Sequence, residues 1–265
     1  MDRIIIAKIG GKVLNDKNLL GEFMEQFSRV SERKILVHGG GKVASDIAES
    51  MGVEVKMVDG RRITDRDTLN VVTMVYAGLL NKRVVAQLQG MGCNAAGFTG
   101  ADANIILSER RPIKDIDYGY VGDVVNVNDK TLTALLSDGI TPVIAPLTHD
   151  GKGTNLNTNA DTMASVVAQA MAKHFRSELI YCFEMPGVLE SVEDNDSVIR
   201  HLDYQRYEQL RTTGAIASGM IPKLDTGFGA LDNGVSDVKI CHANALASVI
   251  ENDTTIRYTE LQRQV

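Results

Sequence analysis

Lys8 stands at the end of an apolar run and just before two glycines, in AKIGGK at residues 7–12. A lysine there, beside Gly10 and Gly11, lies among bare backbone N–H groups that phosphate oxygens can use as donors. A second glycine loop, HGGG at 38–41, also follows an apolar run and precedes an amphipathic one. Consecutive glycines are entropically costly, so bare backbone at Gly39, Gly40 and Gly41 answers a geometric need. For the two-glycine loop, an ordinary tight turn is an equally good reading. HGGG also occurs in hydrolase oxyanion loops, but that chemistry needs a GxSxG nucleophile elbow, which this chain lacks. The Walker A pattern GxxxxGK[ST] and the dinucleotide fingerprint GxGxxG are absent too, which argues against NAD and FAD.

Two further segments carry candidate chemistry. LNTNAD at 156–161 places Asn157, Asn159 and Asp161 at alternate positions before an apolar helix pattern, so in an extended chain they point the same way. Asp161 is a candidate N-cap for that helix, and an Asx-rich turn with a cap is the plain alternative. SGMIPKLD at 218–225 supplies Lys223. A surface position is the default for any lysine; the interest of this one is its pairing with Lys8. Moving a phosphoryl group between two anions requires cations around it and little covalent help from the protein. Two lysines held by one aspartate form a clamp for that purpose. No His/Asp or Ser/His constellation competes with it.

The elements that must position these residues follow from periodicity. Apolar runs at 3–9, 34–37, 53–58, 141–145, 178–183 and 237–241 read as strands. Helical spacing covers 18–30, 42–51, 68–91 (one long helix or two), 129–138, 162–173, 204–212, 225–233 and 245–251. Residues 104–108 and 122–127 suggest a hairpin. Strands separated by helices predict an α/β fold with a mostly parallel central sheet and helices on both faces. Both glycine loops then lie where such sheets bind ligands. The polar loop near residue 150 marks the best junction between an N-terminal and a C-terminal lobe of one domain.

Bulk composition excludes several classes. The 265 residues carry a formal net charge of -6 and no dense basic run, which disfavours nucleic acid as a partner. Cys93, Cys182 and Cys241 are too few and too scattered for a disulfide framework or a zinc site, and read as thiols in a reducing compartment. The apolar stretch near the start is too short for a signal peptide or a membrane span, so a cytoplasmic location is expected. The residues by themselves lead to an α/β enzyme that binds a phosphorylated ligand.

KIGGK, VHGGG, DGRRIT, LNTNAD and GMIPKL, in that order and spread over nearly the whole chain, resemble the amino-acid kinase family, and within it the acetylglutamate kinases of arginine biosynthesis. The resemblance implies a three-layer α/β/α sandwich, usually in a homodimer. An N-terminal lobe of about 1–150 would take the acylated amino acid, and a C-terminal lobe of about 151–265 would take ATP. The implied reaction is ATP-dependent phosphorylation of the side-chain carboxylate of N-acetyl-L-glutamate, giving N-acetyl-L-glutamyl 5-phosphate. Lys8 and Lys223 would stabilise the transferring group, and Asp161 would hold both lysines. Gly11, Gly40 and Gly41 would offer N–H groups to phosphate and substrate oxygens. Arg62 would bind the α-carboxylate, and Asn157 and Asn159 would hold the acylated amino acid. Mg2+ would travel on the ATP phosphates, with no metal ligand from the chain. Because the acceptor is already an anion, no general base is required, and His38 reads as structural.

The chain departs from the family pattern in two places. Phe183-Glu184 replaces a Thr/Ser-Asp pair, which bears on ATP contacts. GADAN carries Ala103 where relatives have glycine, in a loop (96–104) that borders the family's acyl pocket; this raises succinyl as an alternative acyl group. The first strand begins at residue 3, so the added N-terminal helix of arginine-inhibited hexamers is not expected, and a dimer without arginine feedback is. Other acceptors on this fold (carbamate, aspartate, glutamate itself or a nucleoside monophosphate) remain as alternatives. So does a non-catalytic ligand sensor, against which stands the presence of Lys8, Asp161 and Lys223 together.

Overall fold

Strands that are apolar on both faces belong in the middle of a parallel sheet, and Arg3–Ile9 (β1) is of this kind: Ile4, Ile5, Ile6, Ala7 and Ile9 are fully buried. The computed structural model describes residues 1–58, 60–191, 193–216 and 219–263. Asp59 of DGRRIT, with the turn expected there, and Ser218 of the Lys223 segment lie outside the described residues, as do the last two positions of the C-terminal lobe.

The other strands are Arg33–His38 (β2), Met57–Val58 (β3), Arg61–Arg62 (β4), Ala95–Phe98 (β5), Ile106–Arg110 (β6), Gly122–Val127 (β7), Thr141–Ile144 (β8), Leu147–His149 (β9), Asn155–Asn157 (β10), Arg176–Phe183 (β11), His201–Asp203 (β12), Asp237–His242 (β13) and Thr259–Gln262 (β14). Among the described residues eight of these form the main sheet, in the order β12-β14-β13-β11-β1-β2-β8-β5. From β13 to β5 every pairing is parallel; β14 runs antiparallel to β13, and β12 is parallel to β14. A smaller sheet, β10-β9-β6-β7, contains the expected hairpin as the antiparallel pair β6 and β7. The strand read at 53–58 shrinks to β3, which pairs with β4 in a two-residue ladder.

Helices cover both faces of the main sheet. One face carries Gly11–Asn15 (α1), Lys17–Arg29 (α2), Gly41–Ser50 (α3), Arg66–Val72 (α4), Asn81–Gly90 (α5) and, near the end of the chain, Leu246–Ile250. Ile5, Ala7 and Ile9 of β1 pack against this layer. Ile4 and Ile6 point the other way, into a second core with Asp129–Ser137 (α6), Ala160–Met171 (α7), Tyr204–Thr212 (α8) and Ile221–Asp232 (α9); the helix at 246–250 is α10. The alternation of a strand thus divides one run of isoleucines between two cores, and the result is the α/β/α sandwich.

Helix α1 is not among the elements read from the spacing, and two longer helices differ from the sequence reading. The run at 68–91 is a continuous rod, but its middle, Thr73–Leu80, is π-helical, with α4 and α5 on either side. The wider turn brings Tyr76 and Leu80 against the HGGG loop. Helix α9 begins at Ile221, not 225. Pro222 lies in its first turn, where a missing N–H costs nothing, so the proline starts the helix and does not break it.

Candidate active site

The period of a strand decides where Lys8 goes. It continues the Ile4–Ile6 row and so faces α7, whose first turn carries Asp161. Lys8 Nζ lies 2.6 Å from Asp161 Oδ1, and Lys223 Nζ lies 3.5 Å from Oδ2, although the three residues are far apart in sequence. Lys8 and Asp161 are buried, and Lys223 is nearly so. The Lys8–Asp161 contact is Coulombic, since Oδ1 accepts no aligned hydrogen bond. Burial pushes the Asp161 carboxyl up, but the charges of Lys8 and Lys223 outweigh it and hold the group below the ordinary carboxylate range. Burial also lowers the Lys223 ammonium, against the attraction of Asp161. Tyr181 on β11 ties the parts together: its hydroxyl donates to the Asp161 carbonyl at 3.3 Å and meets Thr226 of α9 at 2.9 Å.

Asp161 is not the N-cap of α7. That place belongs to Asn159, whose side-chain oxygen accepts from the N–H groups of Asp161 (2.8 Å) and Thr162 (3.0 Å). The Asp161 carboxylate is thereby left to the lysines. Asn157 donates from Nδ2 to Thr64 Oγ1 at 3.0 Å, which fixes its amide against the wall of a cavity.

The glycine loops sit at the ends of β1 and β2. Gly10 and Gly40 are the N-caps of α1 and α3, and neither supplies a side-chain cap, so first-turn N–H groups face outward. A Cβ on Gly11 would lie 3.8 Å from the backbone nitrogens of Gly41 and Lys42, so the two loops abut. Gly40 has φ +150°, and a Cβ there would come within 2.3 Å of Leu80 Cδ1; the backbone conformation and the contact both demand glycine. His38 is fully buried, and burial lowers its pKa to about 4. The Asn81 amide donates to its Nε2 (3.1 Å), so Nδ1–H donates to the Gly39 carbonyl (2.8 Å), and the neutral ring braces the loop.

Two cavities meet at these loops. The first, of about 480 Å³, is lined by apolar residues, Phe183, Met185, Val188, Leu189 and Met220 among them, and by the cations Lys8, Lys12 and Lys223. Glu184 belongs to its wall and pairs with Lys12 at 2.7 Å. The second, of about 230 Å³, is polar and includes Gly40, Gly41, Arg62, Asn157, Asn159 and Asp161. Lys8 and Gly11 belong to both. Arg62, 8% exposed, donates from Nη2 to the Gly41 carbonyl and to Ser45 Oγ, each at 2.8 Å. Its buried Nη1 has no partner among the described residues. A buried donor of this kind costs free energy until an acceptor meets it, and a carboxylate is the natural one.

The structure thus brings Lys8, Gly11, Gly40, Gly41, Arg62, Asn157, Asn159, Asp161 and Lys223 to one place. It does not bring the 96–104 loop there: none of those residues forms a wall of either cavity. Asp102 instead closes the loop on itself, accepting from Thr99 N (2.6 Å) and Oγ1 (2.8 Å). Ala103 is exposed with φ 51° and ψ 25°, the left-handed region in which glycine rests without strain. Ala103→Gly is therefore expected to raise stability by about 1 kcal/mol, seen as a higher urea midpoint with an unchanged slope. Arg61, Tyr76 and Arg111, absent from the sequence reading, do line the second cavity. The doubled arginine of DGRRIT was a usable sign for Arg61.

A model of the amino acid kinase family matches residues 3–242. The chain belongs to that family. The acetylglutamate kinase of Cytophaga hutchinsonii is 55% identical over 257 residues, covering 97% of each chain. That of Phocaeicola vulgatus is 52% identical, covering 92% of this chain and 95% of its own. Among solved structures, N-acetylglutamate synthase from Neisseria gonorrhoeae, complexed with coenzyme A and N-acetyl-glutamate, aligns with a TM-score of 0.82 at 22% identity. That alignment covers 99% of this chain but 60% of the synthase, and it speaks for the shared family fold. Among the described residues no three His, Cys, Asp or Glu side chains are grouped to hold a metal, and no helix is long and apolar enough to cross a membrane.

Proposed function

We propose that this chain is an acetylglutamate kinase, transferring the γ-phosphoryl group of ATP to the side-chain carboxylate of N-acetyl-L-glutamate in arginine biosynthesis. The observation that carries the reading is the Lys8–Asp161–Lys223 cluster at the meeting of two cavities, one rich in apolar side chains and the other polar. Adenine suits the apolar residues of the larger cavity and the phosphates suit its lysines. This assigns the N-terminal lobe to the acceptor and the C-terminal lobe, with the 8–12 loop, to the nucleotide. In the smaller cavity Arg62 Nη1 takes the α-carboxylate, and Asn157 and Asn159 hold the acylated backbone.

Lys8 then faces the acceptor oxygen and Lys223 the leaving phosphate, so charge spread over the phosphoryl oxygens is met from both sides. Gly11, Gly40 and Gly41 add N–H groups to the same oxygens. Asp161, occupied by two ammonium groups, orients them and takes no proton. Both oxygens of Asp161 already face lysines, so Mg2+ would be held by the nucleotide phosphates, where it would neutralise their charge. We place the enzyme in the cytoplasm as a homodimer, where its buried thiols stay reduced.

The reading predicts that Arg62→Ala raises the KM for the acceptor by about 10-fold or more, the size of one lost charge-assisted pair, with a smaller change in kcat. Unchanged acceptor saturation would remove Arg62 from this role. The proposal itself is tested by Mg2+-dependent ATP turnover with N-acetyl-L-glutamate, the acyl phosphate being trapped as a hydroxamate. Equal yields of ADP and hydroxamate are expected. Turnover with carbamate or aspartate and none with the acylated glutamate would overturn it.

A further inference from the structure

We propose that the acceptor cavity continues into an anion subsite, built from Arg61 and Arg111, for N-acyl-L-glutamates whose acyl chain itself ends in a carboxylate. This rests on the kinase reading and adds a second class of acceptor at the same site. N-acetyl-L-glutamate has two carboxylates. One goes to the phosphoryl group beside Lys8, and the other suits Arg62 Nη1. Two guanidinium groups of the same wall, Arg61 and Arg111, then have no anion of that substrate to face. Both are also walls of an adjoining cavity of about 500 Å³, which includes Lys114, Asp115, Tyr118 and Asp123. An acetyl methyl leaves that space unused, whereas a four-carbon diacid chain extends toward it.

The groups are arranged for a ligand. Asp123 takes Nε and Nη2 of Arg111, at 3.1 and 2.5 Å, and the Tyr118 ring lies 5.4 Å from the guanidinium carbon. Held in this way, Arg111 keeps Nη1 out of the pairing, so it can bind Asp123 along one edge and a ligand carboxylate along another. Arg61 makes no ion pair among the described residues. Among the described residues of the chamber, Arg61, Arg111 and Lys114 stand against Asp115 and Asp123, so an added carboxylate meets more cations than anions there.

The test compares N-acetyl-, N-butyryl- and N-succinyl-L-glutamate in wild type, Arg61→Gln and Arg111→Gln, by initial rates at saturating Mg2+ and ATP. Butyryl matches the length of succinyl without its charge. Succinyl should exceed butyryl in kcat/KM by about 10-fold or more, the size of one charge-assisted hydrogen bond. That ratio should fall toward one in the variants, mostly through KM. Acetyl turnover with butyryl equal to or better than succinyl overturns the subsite alone. A wild-type preference that both variants retain also overturns it. Failure of all three acceptors is failure of the kinase reading and takes the subsite with it. Should a variant not fold, the three wild-type acceptors still decide.

Discussion

Lys8→Ala is expected to lower kcat by about 10²-fold or more, with a smaller change in either KM. Among the described residues Lys8 is the one cation that lines both cavities, and in the proposed mechanism it stands where the phosphoryl group crosses from one to the other. Its charge matters most when negative charge spreads over the group in transit, which is why the loss falls on kcat. Lys223→Ala removes the cation on the nucleotide side and should cost a similar factor. Because both lysines act on one group, the double variant should lose less than the product of the two single losses. Steady-state rates with each substrate varied in turn check this. A Lys8→Ala enzyme with near-native kcat would place the chemistry elsewhere.

The second large effect is expected at Asp161. Asp161→Asn keeps the shape of the side chain and removes its charge, leaving two ammonium groups close together without the carboxylate between them. Breaking a buried pair in this way costs about 3 kcal/mol or more, measurable by urea unfolding at neutral pH. The pH dependence supplies an independent check. Because the folded Asp161 pKa lies below its unfolded value, the carboxylate adds stability above pH about 4 that is lost as pH falls further. The gap between wild type and Asp161→Asn should therefore narrow on acidification below that point. A gap that holds constant to low pH would mean that Asp161 acts through packing alone.

Strands such as β1 and β11 were legible because parallel-sheet strands are continuous apolar runs, and the glycines that end them show where the sheet presents its loops. The short strands β9, β10, β12 and β14 were not, since three or four residues leave too little pattern to read. Nothing in the positions of Lys8, Asp161 and Lys223 tells of their contact; only the motif order suggested it, and long-range packing makes it. The cap of α7 was misassigned because Asn159 and Asp161 are both good cap residues two positions apart, and the choice falls to whichever side chain the neighbouring lysines do not take. The loop at 96–104 was read as bordering the acyl pocket, whereas Arg61, Tyr76 and Arg111, which line the second cavity, come from three separate segments whose convergence no local pattern records.

The backbone ridge at Gly11, with Lys8 beside it, is a common wall of both cavities, and this gives the two binding equilibria of the proposed reaction a physical route to coupling. Whatever the nucleotide does to that wall, by ordering the loop or by drawing on the lysine's charge, the acceptor meets in altered form. By reciprocity, the factor by which bound nucleotide changes acceptor affinity equals the factor by which bound acceptor changes nucleotide affinity. Neither half of the substrate preference can therefore be redesigned in isolation: a substitution on the ridge changes two dissociation constants and the coupling between them.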